Sequence, residues 1–261
     1  MSARHAALGL ILLLGLWQAA VWLFAPPHYI LPSPMAVAAA FARQPGFFAA
    51  HGLVTLGEIA AGLVFGALFG ALTAFTIAAL PAFGRLVWPM VLILQAFPVF
   101  VLAPILVIWL GFGMASKVAM TTIIIFFPVA SAFADGLRRT EREILDAAAL
   151  TDATPWRTLV SIRLPLALPS LISGLRVAAP LAPLGAVIGE WVGASAGLGF
   201  IMVQANARMQ TDTVFAAMAV LALLTVLLRI AVDRLTAGLT PWATEAGPEP
   251  FQSSHRRPRP Q

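Results

Sequence analysis

Charged residues punctuate this chain rarely, and the stretches between them set its architecture. Twenty-six uncharged residues separate Glu58 from Arg85, 31 separate Arg85 from Lys117, and 17 separate Lys117 from Asp135. A membrane-spanning helix needs about 20 mainly apolar residues at 1.5 Å rise each. Residues 6–25 form an uncharged, mainly apolar run at the start. Two shorter runs, 13 residues from Arg176 to Glu190 and 16 from Asp212 to Arg229, reach spanning length once terminal charges snorkel or sit at the interface. The pattern predicts an all-α, polytopic membrane protein with six transmembrane helices, near 6–25, 52–80, 88–110, 115–134, 172–192 and 213–235.

Composition agrees. Of 261 residues, 60% are hydrophobic and 10% charged, against roughly 25% charged in a soluble domain; mean hydropathy is +0.91. A soluble globule cannot hide that much apolar surface, which excludes a soluble enzyme, a nucleic-acid-binding module and a disordered chain. With no Cys, disulfides, thiolate chemistry and Cys-ligated metal are excluded. His occurs at 5, 28, 51 and 255, none of them mid-span, so no metal site and no His-based acid–base site is expected.

The first apolar run is longer than the roughly 7–15 residues of a signal-peptide core, so it is expected to remain as an anchor. Cation placement gives the orientation. With the N-terminus inside, twelve Arg residues fall on the cytoplasmic side, whereas the outer side holds Arg43, Lys117 and Arg208. A multi-pass membrane protein with both termini cytoplasmic follows. No internal repeat divides it. Residues 1–240 read as one transmembrane domain, and 241–261, rich in Pro and polar residues, as a disordered cytoplasmic tail.

Residues 135–176 break the pattern, for these 42 residues carry 11 of the chain's 27 charges. Thr140 reads as a helix cap with Glu143 at the third helical position. Ile144, Leu145 and Ala148 follow at helical spacing. Thr154–Pro155 reads as a second N-cap with proline at the first position, and Trp156, Leu159 and Val160 share a face. Leu164–Pro165 and Pro169 are expected to turn the chain back to the membrane. Two short helices joined by a tight turn would fill a groove in a partner.

The segment Asp146-Ala147-Ala148, three residues, Asp152, nine residues, Ile162-Arg163-Leu164-Pro165 resembles the EAA motif of ABC-transporter permeases of the binding-protein-dependent import type. That pattern is Glu-Ala-Ala, three residues, Gly, nine residues, Ile-x-Leu-Pro. Every spacing matches. Asp146 replaces Glu, and Asp152 replaces Gly at a turn where left-handed backbone is expected, a conformation Asp tolerates. Leu31-Pro32-Ser33-Pro34 is similar to a segment of the nitrate/sulfonate/taurine branch. Gly189-Glu190-Trp191, Gly197-Leu198-Gly199 and Asn206 to Asp212 look most like permeases assigned to thiamine-precursor (hydroxymethylpyrimidine) uptake.

The resemblance implies a type I importer permease, a transport subunit and not an enzyme, with its coupling loop at 135–171. It implies Asp146, Ala147, Ala148, Asp152, Trp156, Ile162, Leu164 and Pro165 as the ATPase-coupling residues. Two separate ABC ATPase subunits would use ATP and Mg. A periplasmic or surface-tethered substrate-binding protein would deliver a small polar substrate. The chain binds no cofactor on this reading; no Gly-x-x-x-x-Gly-Lys-[Ser/Thr] phosphate loop occurs in it. Resemblance and the two-fold symmetry of an ATPase pair together imply a permease homodimer in the lipid bilayer, with no nucleic-acid partner.

Within the helices, Gly62, Gly66 and Gly70, continued by Ala74, form a small-residue ridge for close helix packing, internal or between subunits. Pro180 and Pro183 interrupt a short span in the manner of transport sites. Gln95 is a polar group at depth, bonded to a neighbouring helix or touching substrate. Glu190, Asn206 and Arg208 lie towards the outer end, with Glu58 and Glu190 expected at the interface and Glu190 and Arg208 spaced for an ion pair. They complete the candidate path or gate. A stand-alone secondary transporter or channel is the competing reading. It needs intramembrane ionisable groups, and helices one, three and four are expected to have none in their interiors.

Overall fold

A computed structural model describes residues 3–242, and among them all regular structure is helical. The tail expected from 241 lies, beyond Pro241 and Trp242, outside the described residues. Helix α1 runs over Ala3–Phe24. The short α2, Pro34–Arg43, begins where the Ser33 side chain accepts from the Ala36 N–H at 3.2 Å, with proline at the first helical position. Helix α3, Pro45–Ala79, has 35 residues, about 52 Å at 1.5 Å per residue.

The third expected span is not one helix. The chain forms α4, Pro81–Ala96, a 3-10 turn at Val99–Val101, and α5, Leu102–Leu110. Phe97 breaks it. Standing before Pro98, Phe97 is driven out of the helical region, to φ −74° and ψ 134°. Among the described residues, five helices are therefore long and apolar enough to cross a membrane, rather than six. The broken segment still returns the chain from one end to the other. Helix α6, Met114–Arg138, runs parallel to α3, since Gly62 faces Thr121, Gly66 faces Ile125 and Gly70 faces Val129.

The polar loop follows as α7, Arg142–Ala149, and α8, Pro155–Thr158. The expected turn at Leu164–Pro165 does not occur. A π turn at Leu159–Arg163 joins α8 to α9, Leu164–Ala178, and the Leu164 N–H bonds the Leu159 carbonyl five residues back. Pro165 has no N–H to give and its ring crowds the preceding turn, which the widened turn accommodates. A 3-10 turn at Ala179–Leu181, holding Pro180, then leads into α10, Ala182–Gly193. The helical path from 155 to 193 is thus a single 39-residue membrane-span candidate. Helices α11, Leu198–Ala207, and α12, Thr211–Thr236, complete the chain.

Helix α6 is the axis of the bundle. Its Met120, Ile125, Val129 and Ala130 are fully buried, with α3 against one side and α9 and α10 against another. Glycine makes each approach. A Cβ on Gly66 would stand 2.5 Å from Ile125 Cβ, and one on Gly70 would stand 2.8 Å from the Phe126 carbonyl. From the other side Gly136 meets Ser170, Gly174 meets Ala132 and Gly185 meets Thr121. At the loop end, Arg176 of α9 pairs with Asp233 of α12 at 3.1 Å, and Arg229 pairs with the same carboxylate at 2.9 Å.

Gly66→Leu is expected to lower the thermal transition of the detergent-purified protein by the equivalent of about 1–3 kcal/mol, the usual cost of overpacking. Gly15→Ala in α1, which has no neighbour within 4 Å, should leave it unchanged. An unshifted transition for Gly66→Leu would contradict the α3–α6 packing.

Candidate coupling loop and buried ionic cluster

Helices α7 and α8 form a hairpin at one end of the bundle. Thr154 caps α8 by accepting from the Arg157 N–H at 3.2 Å. Thr140 does not cap α7. Glu141 holds the cap position without a side-chain bond, and Thr140 Oγ1 is buried with no partner. Asp152 adopts the left-handed conformation at φ 54°, which an L-residue other than Asn or Asp adopts at a higher cost. Leu150 beside it is 88% exposed.

The motif residues do not share one face. Asp146 and Ala147 are exposed and Ala148 is buried, because successive helical residues point about 100° apart. The pair Ala147–Ala148 therefore presents one methyl outward and one inward. Trp156 is largely exposed, with its ring edge-on to Phe75 of α3 at 5.9 Å. Ile162, Leu164 and Pro165 are half-buried where the loop becomes α9. Beneath the hairpin lies a cavity of about 700 Å³, lined by Ala78 and Pro81 of the α3–α4 corner and by Leu145, Ala149, Trp156 and Leu159.

A second polar assembly lies towards the opposite end, inside the bundle. Glu58, Lys117 and Glu190 are 3%, 1% and 2% exposed. Glu190 Oε1 accepts from Thr55 Oγ1 at 2.6 Å, and its Oε2 accepts from the Gly199 N–H. Lys117 Nζ donates to the Phe112 carbonyl at 2.6 Å and to the Gly193 carbonyl. Glu58 adjoins Glu190 within electrostatic reach of Lys117, and its Oε2 is buried without a hydrogen-bond partner. Two more bonds fasten the connection between α10 and α11: Leu198 N–H to Thr55 Oγ1 at 2.8 Å, and Gly197 N–H to His51 Nδ1 at 3.0 Å.

The charge pattern puts Glu58 and Glu190 at the interface and Lys117 on the outer side. Helix α3 starts at Pro45, so Glu58 lies 13 residues in, about 20 Å along the axis. Lys117 falls in the first turn of α6 with its stem against Gly189, which contradicts a fourth helix free of buried ionisable groups. The missed partners had a signal. His51, Thr55 and Glu58 recur at four and three residues, the spacing of one helical face, in an otherwise apolar stretch.

The other candidate path residues are dispersed. Arg208 lines a pocket of about 530 Å³ at the end of the bundle opposite the hairpin, with Arg43, Gln44, Phe47 and Phe200. It is Thr55 and Gly199, not Arg208, that hold Glu190. Pro183 and Asn206 line an apolar groove of about 530 Å³ between α10, α11 and α12. Gln95 lines a separate cleft of about 280 Å³ near Pro128 and Leu181. Pro180 is exposed on the 3-10 turn.

The family profile described as "Binding-protein-dependent transport system inner membrane component" matches residues 62–245. The chain belongs to this family. It is a multi-pass ABC importer permease, a transport subunit and not the ATP-hydrolysing one. It is 46% identical over 223 residues to a "Probable ABC transporter permease protein" of Haemophilus influenzae, covering 85% of this chain and 91% of the relative. It is 33% identical to the formylaminopyrimidine transport permease protein ThiX of Halalkalibacterium halodurans, covering 92% and 96%. It is 35% identical to the riboflavin transport system permease protein RibX of Chloroflexus aurantiacus, covering 89% and 88%. An inward-facing structure of the MetNI methionine ABC transporter matches with a TM-score of 0.64 at 22% identity, covering 76% of this chain and 98% of that one, which shows the type I importer permease fold.

In this permease the ionic cluster ties three helices and the α10–α11 connection together at one carboxylate. Charges removed from water hold only when their bonds are complete. Glu190→Ala leaves Lys117 short of a carboxylate and strips acceptors from Thr55 and Gly199. We expect it to cost about 3–5 kcal/mol, read as a lower thermal transition and faster proteolysis near 194–198. Glu190→Gln, which keeps an acceptor and a similar volume, should cost less. Equal stability of all three proteins would refute the clamp.

Proposed function

We propose that this permease forms half of the membrane path of an ATP-driven importer whose solute is a small polar nitrogen heterocycle of the thiamine pyrimidine-precursor class. The observation that carries the solute reading is the stretch from Gly189 to Asp212, which looks like permeases for such precursors. The formylaminopyrimidine relative supports it by aligning along 92% of this chain. The riboflavin relative fits the same chemistry, since riboflavin contains a fused pyrimidine ring. An anionic solute such as a sulfonate, taurine or nitrate is the second reading. It is favoured by Arg43 and Arg208, which line one outer pocket together with a single acidic residue, Asp212.

In this proposal the chain lies in the inner membrane with both termini and the α7–α8 hairpin in the cytoplasm. Two permease copies present two hairpins to two ABC ATPase subunits, which use ATP and Mg. A binding protein delivers solute at the opposite end. Asp146, exposed on α7, pairs with a cation of the ATPase, while Ala147 allows close seating and Trp156 and Asp152 shape the hairpin. Gln95, Pro180, Pro183, Asn206 and Arg208 contribute to the path or its gate, and Glu190 holds the gate segment. Residues 1–240 act as one transmembrane domain.

Proteoliposomes holding the permease, its ATPase and its binding protein are expected to accumulate hydroxymethylpyrimidine only when ATP and the binding protein are both present. Uptake without either would instead favour a stand-alone transporter. Preferential uptake of taurine would favour the anionic-solute reading.

Asp146→Lys is expected to leave the protein in the membrane while separating ATP hydrolysis from transport, lowering uptake at least tenfold by roughly the loss of one buried charge pair. Normal uptake would count against the docking role. The chain has no cysteine, so Leu150→Cys offers a single label. A membrane-impermeant maleimide should modify it in inside-out vesicles and not in intact cells. The reverse pattern would invert the proposed orientation.

A further inference from the structure

The hairpin end contains a second cavity, which adjoins the one beneath the hairpin and shares Ala78, Pro81 and Arg163 with it. About 380 Å³ in volume, it lies between α3, α4 and α6, and the guanidinium-bearing residues Arg85, Arg138 and Arg163 all line it. Its floor is apolar, with Ala74, Ala134 and Leu137, and its lining includes no Asp or Glu. Arg138 lies over the ring of Trp88, 4.9 Å from the centroid. Arg163 Nε is buried with no hydrogen-bond partner. Among the described residues, the ion pairs near this end are made by Arg176 and Arg229 with Asp233, not by these three. The opening turn of α4, at Pro81, Gly84 and Arg85, also faces the cavity, adding the positive end of a helix dipole.

Three cations gathered without a counter-charge around a buried, unsatisfied N–H call for an anion with several acceptor oxygens. A phosphate group has that chemistry. The adjoining surface identifies its source. On α4, Pro89 and Leu92 are exposed and follow Arg85 and Trp88 at helical spacing, so apolar surface continues from the cavity along the same helix face. Trp88 supplies the amphipathic ring that favours the headgroup level. Basic pockets between transmembrane helices on the cytoplasmic side bind anionic lipid headgroups in this manner.

We infer that the cavity ringed by Arg85, Arg138 and Arg163 is a binding site for the phosphate headgroup of an anionic phospholipid whose acyl chains lie along the exposed face of α4. Such a headgroup bridges the start of α4, the end of α6 and the π turn that joins the coupling hairpin to α9. It thereby fastens the hairpin to the bundle. The leaflet follows from the orientation proposed above; the binding itself does not depend on it.

The test is native mass spectrometry of the full-length permease in mild detergent. It is titrated with phosphatidylglycerol, with phosphatidylcholine of the same acyl chains, and with inorganic phosphate. Phosphatidylglycerol is expected to remain bound through detergent removal, whereas phosphatidylcholine is lost. The double variant Arg85→Gln/Arg163→Gln should retain phosphatidylglycerol roughly 30-fold less well, at about fivefold per cation. Arg142→Gln/Arg157→Gln removes the same charge from the same end outside the cavity and should bind as the parent does. Arg85→Gln alone, at an exposed side chain, should show about a fivefold loss and serves if the double variant does not fold.

Equal losses in both double variants would reduce the effect to general surface charge and overturn the site. Equal retention of the two lipids would overturn it too. Displacement by millimolar phosphate would make it a site for a free anion, and absence of any anionic adduct would leave the three arginines to an acidic protein partner.

Discussion

Close approach through glycine is the constraint on which this structure rests. Lipid tails are as apolar as leucine, so helices in a bilayer gain little from hiding apolar side chains from them. They gain from shape. Here α6 is enclosed because α3, α9 and α10 present glycine where α6 presents Thr121, Ile125 or Ala132. The contacts advance in register along α3 and in reverse along α9 and α10, so the same residues that permit contact also set which helices run parallel. Topology and packing are thus specified together, by side chains that are absent.

That tight enclosure explains why three ionisable groups can sit inside the half of the bundle remote from the hairpin. Water is excluded, and each polar atom must find its partner in the protein or in a neighbouring charge. Glu190 answers to Thr55 and Gly199, and Lys117 to two carbonyls. Gly197, at φ 113°, and Gly199 bring backbone so near that a Cβ on either would collide with the Glu190 carboxylate. The segment Gly197-Leu198-Gly199 therefore reads as a socket for one carboxylate, and the α10–α11 connection is held by hydrogen bonds rather than apolar burial alone.

Much of this was legible in the sequence, and the residues show why the rest was not. Apolar run lengths revealed a polytopic helical protein, and the Thr154–Pro155 cap and the tolerance of Asp152 for left-handed backbone were readable because both are local. The break at Phe97–Pro98 was not, since proline is common in membrane helices and its effect depends on whether neighbours re-satisfy the backbone. Nor was the uninterrupted path through Pro165, because a π turn leaves no compositional mark. Glu58 and Lys117 were misplaced for one reason: a charge near the end of an apolar run looks interfacial until the helix is seen to start earlier, or a facing glycine is seen to admit the lysine stem.

The unbroken course from Pro155 to Gly193 has a mechanical consequence. Thirty-nine helical residues span about 58 Å, well beyond the roughly 30 Å of a hydrocarbon core. The same rod therefore stands in water at its hairpin end and reaches the glycine socket at the other. Torque applied to the protruding part needs no chain of intermediaries to arrive there: a rigid tilt of about 10° would swing the far end by roughly 10 Å over that length. The two places where the rod departs from α geometry, the π turn and the 3-10 turn, are then built-in points of compliance, as is Pro169 within α9, and how stiff they are sets how much of a push at one end becomes motion at the other.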